Sequence, residues 1–69
     1  MVTEEMRKAG SQISADLFDA SIIRATGSEK DWENYQLSYD GGNIDLIRQY
    51  FNDEVDFVTV VYIAMHRVA

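Results

Sequence analysis

An apolar segment near the end of the chain, residues 57–65, dominates the pattern of hydrophobic and polar positions. It reads Phe-Val-Thr-Val-Val-Tyr-Ile-Ala-Met, is rich in β-branched and aromatic residues, and contains no charge. Apolar side chains would occupy both sides of a strand at this place, which is typical of a strand covered on both faces. We therefore predict a central strand over residues 55–65. The segment is too short to span a membrane, which takes roughly 20 apolar residues.

Two other segments have the spacing of amphipathic helices. In residues 3–16, Thr3 and the two acids after it suit a helix start, and apolar residues recur every three or four positions. Residues 43–52 begin at Asn43, a good N-cap residue, and place three large apolar residues on one face. Both segments are predicted to be helices.

Two further strands would complete a sheet. Residues 33–39 alternate between apolar and polar residues, which is the period of a half-buried strand. Residues 18–26 fit either a strand or a continuation of the first helix to Thr26. We favour the strand because two strands alone rarely make a stable sheet, whereas three do. If residues 3–26 form one long helix instead, the remaining strand pair would need dimerisation through an edge.

The predicted fold is therefore α+β. An N-terminal helix precedes a β-β-α-β unit, and a helix packs on a small three-stranded sheet. The 69 residues form one small globular domain, residues 1–69, of marginal stability at this size. The chain has no Cys and begins with an acidic segment that lacks the apolar run of a signal peptide, so we expect a cytoplasmic protein.

Charge limits the classes of partner. Twelve acidic and six basic residues leave a net charge of −6. Direct binding to nucleic acid or to an anionic membrane normally uses clustered Lys and Arg, and the chain has no such cluster. We therefore predict no nucleic-acid or membrane partner, and a protein with a basic surface becomes the expected one.

Six carboxylates are predicted to gather at one end of the domain. The helix at residues 43–52 would reverse the chain, so strands 33–39 and 55–65 would start at the same end. Their entry segments carry Glu29, Asp31, Glu33, Asp53, Glu54 and Asp56. Such an end is either a solvated polar surface or a docking surface for a Lys- and Arg-rich protein. Trp32, among these charges, is either an interface anchor or a residue that closes the end of the core.

The sequence shows no motif for catalysis, a metal or a cofactor. His66 is the only histidine, and nothing in the spacing directs a Ser or an Asp toward it, so we predict that the protein is not an enzyme. Residues 53–56 lack the spacing of an EF-hand loop. Residues 40–43, Asp-Gly-Gly-Asn, lack the Lys and the spacing of a phosphate-binding loop. No metal and no cofactor are predicted.

One local resemblance to a known family exists. Residues 23–32, Ile-Arg-Ala-Thr-Gly-Ser-Glu-Lys-Asp-Trp, resemble the helix end and loop that lead into the first strand of actin-depolymerising-factor homology domains, and residues 39–41, Tyr-Asp-Gly, add to the likeness. The likeness covers less than a third of the chain, and no functional residue is carried over from it. It implies an actin-binding fragment as a remote alternative.

The functional prediction is a small, acidic, non-enzymatic protein-binding module that docks on a basic protein surface. In size, acidity and lack of a catalytic motif, the chain resembles the small inhibitors that phages make against bacterial defence systems. The alternative is a structural or regulatory subunit that homodimerises through a strand edge.

Overall fold

Four helices and no strand make up the chain, which a computed structural model describes over residues 1–69. In chain order the helices are α1, Glu4–Thr26; α2, Glu29–Ser38; α3, Ile44–Phe51; and α4, Phe57–His66. The predicted α+β fold is wrong, and so are all three predicted strands, at residues 18–26, 33–39 and 55–65. The structure has no strand edge, so the predicted dimer, which stays a prediction, would need another surface. The two predicted helices correspond to the first part of α1 and to α3.

A single long helix, α1, replaces the predicted helix and strand at the start of the chain. Thr3 caps it, because its hydroxyl oxygen accepts a hydrogen bond from the Met6 amide at 3.1 Å. Ala20 is fully buried, whereas Phe18 and Ile22 are 67% and 47% exposed. A strand would have placed these three residues on one side. The buried stripe instead follows alternating steps of four and three residues: Met6, Gly10, Ile13, Leu17 and Ala20.

The same misreading of period explains α2. Alternation placed Leu37 on the inner face of a strand, but Leu37 is 84% exposed. Its neighbours Trp32, Tyr35 and Tyr39, which are three and four positions apart, pack against the core. Those steps belong to one face of a helix.

Side-chain hydrogen bonds cap the starts of α2 and α4. At α2 the Ser28 hydroxyl oxygen accepts from the Asp31 amide at 3.2 Å, and the Ser28 amide donates to Asp31 Oδ2 at 2.9 Å, a reciprocal capping box. At α4 the Asp56 Oδ1 accepts from the Thr59 amide at 2.7 Å. These bonds satisfy amides that have no partner inside the helix. The cap at Asp56 favours a helix in the β-branched segment that follows it. The opposing helix propensity is small, because each β-branched residue lowers helix stability by well under 1 kcal/mol.

One apolar core joins the four helices. It contains residues from every helix: Ile13, Leu17, Ala20, Trp32, Leu46, Ile47, Val60 and Ala64. Only 10 of the 69 residues are buried, and none of them is polar or charged, so the core is thin and held by shape and apolar contact.

The helices α1 and α4 run antiparallel and close together. A Cβ on Gly10 would lie 3.2 Å from Met65 Cγ and 3.5 Å from Val61 Cγ1, so the absence of a side chain at Gly10 allows the close approach. Toward the other end of α1, Ser21 lies with Phe57 in the lining of one groove. The start of α1 therefore lies beside the end of α4, and the end of α1 lies beside its start.

Tyrosine hydrogen bonds attach α2 and its C-cap residue to α1. The Tyr39 hydroxyl donates to Asp16 Oδ2 at 2.6 Å, and the Tyr35 hydroxyl donates to the Asp16 carbonyl at 3.2 Å. Burial, followed by this bond to the nearby carboxylate, raises the pKa of Tyr39 well above its ordinary value. The chain then turns through Gly42, whose φ of 82° lies in the left-handed region that favours glycine.

Candidate functional site

A shallow groove of about 650 Å³ opens between α3 and α4. Its lining combines three carboxylates with three aromatic rings and contains no basic residue. The lining residues are Ser21, Tyr50, Phe51, Asp53, Glu54, Val55, Asp56 and Phe57. We call this feature the acidic groove.

The loop that carries the carboxylates is held by the end of α3. The Asp53 amide donates to the Tyr50 carbonyl at 3.2 Å, and the Glu54 amide donates to the Gln49 carbonyl at 2.9 Å. Asp53 has a φ of 60°, a left-handed conformation that Asp and Asn adopt more readily than most residues. The backbone of the loop is therefore defined, and its acidic side chains are placed at the edge of the groove.

The three carboxylates of the acidic groove differ in what they already bind. Hydrogen bonds from Thr59, from its side chain first and then from its amide, hold the pKa of the Asp56 carboxyl below its ordinary value. Asp56 is thus ionised and occupied in capping α4. Asp53 and Glu54 are exposed and make no ion pair or side-chain hydrogen bond, so their oxygens remain open to a partner.

Two aromatic rings next to the acidic groove, Trp32 and Phe51, form an aromatic wall that already contacts the guanidinium of Arg24. The Phe51 ring lies edge-on to Trp32, with centroids 5.7 Å apart. The Arg24 guanidinium lies 5.1 Å from the Trp32 centroid and 5.5 Å from the Phe51 centroid, within the range of cation–π attraction. Arg24 does not line the groove.

The six carboxylates predicted from the sequence fall into two groups. Asp53, Glu54 and Asp56 line the acidic groove. The others lie in the first half of α2, where Asp31 closes the capping box and where Glu29 and Glu33 are exposed. The contact between the Trp32 and Phe51 rings places the first half of α2 next to the end of α3. No group of three or more acidic or histidine side chains has the arrangement of a metal site.

The Trp32 side chain is 9% exposed and belongs to the core, where its ring stacks on Tyr35 with the centroids 5.7 Å apart. It therefore offers little surface to a partner. Phe57, which is 45% exposed, supplies the open aromatic surface of the acidic groove.

Sequence reasoning missed the aromatic residues of the groove. The sequence pattern predicts Phe57 within a strand, and Tyr50 and Phe51 on a helix face. The spacing Asp56-x-x-Thr59, a helix start of the same kind as Ser28-x-x-Asp31, was the signal that could have placed Phe57 at the first turn of a helix.

No protein-family model, curated protein or solved structure matches this chain. The likeness of residues 23–32 to actin-depolymerising-factor homology domains implied a strand after Trp32, and the structure has α2 there, so the likeness does not extend to the fold. No helix combines the length and the apolar composition needed to cross a bilayer.

Proposed function

We propose that the protein is a non-enzymatic binding module that holds a basic segment of another protein in the acidic groove. The observation that carries this proposal is the combination of unpaired Asp53 and Glu54 with the half-exposed ring of Phe57, in a groove whose lining has no basic residue.

The chemistry of the groove suits an arginine side chain of the partner. A guanidinium can lie flat on an aromatic ring while its N–H groups donate to a carboxylate in a two-pronged arrangement. Arg24 provides an internal example, because its guanidinium lies over Trp32 and Phe51 on the same aromatic wall. A lysine would gain the charge attraction but not the planar stacking, so we propose a preference for arginine.

The charge of the whole chain supports a basic partner. A net charge of −6 attracts a Lys- and Arg-rich surface at long range, which raises the rate of encounter more than it adds to affinity. Basic protein surfaces often serve to hold nucleic acid, and an acidic module bound there would compete for the surface. We therefore propose an inhibitory role. We propose the cytoplasm as its place, because a chain without Cys suits a reducing compartment.

An arginine-rich peptide tests the proposal directly. We expect a fluorescent peptide of alternating Arg and Gly to bind the parent chain, measured by anisotropy at low salt. The paired change Asp53→Asn with Glu54→Gln should weaken binding by about two- to thirtyfold, because exposed ion pairs contribute about 0.2–1 kcal/mol each. Both substitutions preserve side-chain size, and Asn tolerates the left-handed backbone at position 53.

The matched control changes net charge equally at another place. Glu5 and Asp19 are exposed and do not line the acidic groove. Glu5→Gln with Asp19→Asn should therefore leave binding close to that of the parent. If this control weakens the peptide as much as the groove variant does, only net charge matters and the groove is not the site. Equal affinity for a lysine-rich peptide would contradict the proposed stacking.

A further inference from the structure

A second surface, separate from the acidic groove, runs along the outside of α1 and α4. Four large apolar side chains are exposed there: Phe18 at 67%, Ile22 at 47%, Val58 at 74% and Tyr62 at 60%. We call this surface the α1–α4 face.

The four side chains lie on two helices that pack against each other. On α1, Phe18 and Ile22 are one turn apart, and on α4 the same holds for Val58 and Tyr62. The two helices touch where Gly10 meets Val61 and Met65, and those two residues are themselves only half-buried. The exposed stripes of the two helices therefore lie side by side along the contact.

The hydroxyl groups of two serine residues of α1 near this contact already donate hydrogen bonds within the helix. The Ser14 hydroxyl donates to the Gly10 carbonyl at 2.8 Å, and the Ser21 hydroxyl donates to the Leu17 carbonyl at 2.8 Å. Because these two donors are satisfied within α1, covering Ser14 and Ser21 would leave neither hydroxyl hydrogen unpaired.

The α1–α4 face has no acidic, Lys or Arg side chain along its length, and His66, whose ring stacks on Tyr62 at a centroid distance of 4.0 Å, lies at its end. Between residues 9 and 23 the only charged residues of α1 are Asp16 and Asp19, and both line a depression on the α2 side together with Tyr35 and Tyr39. No Asp, Glu, Lys or Arg occurs in α4. In a chain with a net charge of −6, this is a surface on which two copies can meet without repulsion between carboxylates.

We propose that the α1–α4 face binds a second copy of this chain in a two-fold symmetric dimer with the two α1 helices antiparallel. A two-fold interface is self-complementary, and an apolar face without acidic, Lys or Arg side chains meets that requirement. The antiparallel orientation follows from the charges at its ends. At the start of α1 the charges of Glu4 and Glu5 are balanced by Arg7 and Lys8, whereas the carboxylates of the acidic groove lie near its end, so reversal keeps the acidic ends of the two copies apart.

The area of the face fits a dimer. With side-chain surfaces of about 150–250 Å² for residues of this size, the four exposed fractions amount to roughly 450 Å² per copy. Two copies, together with the half-buried Val61 and Met65, reach the roughly 1,000 Å² of total buried surface that a specific interface needs. Since only 10 of 69 residues are buried in one copy, this added burial also compensates for the thin core.

Sedimentation equilibrium tests the dimer. The parent chain should show twice the monomer mass of 7.9 kDa at micromolar concentration. Phe18→Glu and Tyr62→Glu should each reduce the mass to that of a monomer, with the helical circular dichroism retained. The matched control is Leu37→Glu, because Leu37 is 84% exposed but lies on α2, outside the face. This control should remain a dimer.

Crosslinking tests the orientation without relying on a face variant that must fold. The chain has no Cys, so single-cysteine variants react at one place. A mixture of Lys8→Cys and Glu54→Cys chains, treated with a short bismaleimide, should link unlike chains. Crosslinks mainly between like chains would overturn the antiparallel arrangement. A monomer mass for the parent chain at micromolar concentration would overturn the dimer, and so would dissociation by Leu37→Glu equal to that by Phe18→Glu.

The acidic groove is tested independently of the dimer. The peptide titration can be repeated with the Phe18→Glu chain, whose groove lining is unchanged. Retained peptide binding by a monomeric variant would support both proposals. A dimer that fails to bind the peptide would overturn only the proposed function.

Discussion

At the scale of single residues, Leu37 and Leu46 have the same side chain in opposite surroundings. Leu46 is 1% exposed, and Leu37 is 84% exposed. Leu46→Ala should lower the free energy of unfolding by about 2–5 kcal/mol, because it removes buried methyl groups and leaves a cavity. Leu37→Ala should change it by no more than about 0.5 kcal/mol. Urea unfolding followed by circular dichroism measures both values, and similar losses in the two variants would contradict the described core.

At the scale of elements, Asp56 decides where α4 begins. Asp56→Ala should cost about 1 kcal/mol of stability, because the Thr59 amide loses its acceptor at the helix start. Asp56→Asn is the matched variant, since Asn caps helices about as well as Asp, and it should retain most of that stability. Chemical denaturation compares the two. Equal destabilisation by both substitutions would show that the carboxylate acts by charge and not as a cap.

The helix α3 and the first part of α1 could be predicted from the sequence because their apolar residues follow one unambiguous period. The segment at residues 57–65 could not, since a segment apolar on all sides suits a buried strand and a buried helix equally. A strand at residues 57–65 needs partners to make a sheet, and residues 18–26 and 33–39 are the segments whose pattern could supply them. Ser28 and Asp56 are local signals that favour helix starts, but the alternation of residues 33–39 and the β-branched composition of residues 57–65 favour strands at the same places.

The candidate site was predictable in part for a related reason. Asp53, Glu54 and Asp56 are neighbours in the chain, so their proximity holds in any fold. Their union with aromatic rings depends on how α3 and α4 meet, which single-sequence periodicity does not determine. Trp32 was uncertain because a charged flank is compatible with both a surface ring and a ring that closes the core.

At the scale of the whole molecule, an ion pair connects α4 to the start of α3. Arg67 donates to both oxygens of Asp45, at 3.0 and 2.7 Å, and this hydrogen bonding lowers the pKa of Asp45 below its ordinary value. The stabilisation is complete above the pKa of an unfolded Asp, about 3.9, and is lost as pH falls through the lower folded value. The side chains are 40% and 49% exposed, so the pair contributes less than about 1 kcal/mol.

Replacing Asp45 tests this pH dependence. Asp45→Asn should lower the free energy of unfolding slightly at pH 7, and the difference from the parent should vanish at acid pH, where the parent carboxylate is protonated as well. Arg67→Gln should have the same effect at pH 7, and the double variant should lose little more than either single one. Denaturant titrations at a series of pH values measure this. A difference that persists in acid would show that the loss is not electrostatic.

The close approach at Gly10 has a consequence for how precisely the molecule is built. With no polar side chain in the core, no buried hydrogen bond prevents α4 from sliding along α1. The side chains of Met65 and Val61 pack into the space that a side chain at position 10 would occupy. A shift of one helical turn would present Met6 or Ile13 to the same two side chains, and the helices would be forced apart. The missing side chain at Gly10 thus sets the register of α4 along α1 in a core whose other contacts are apolar and non-directional.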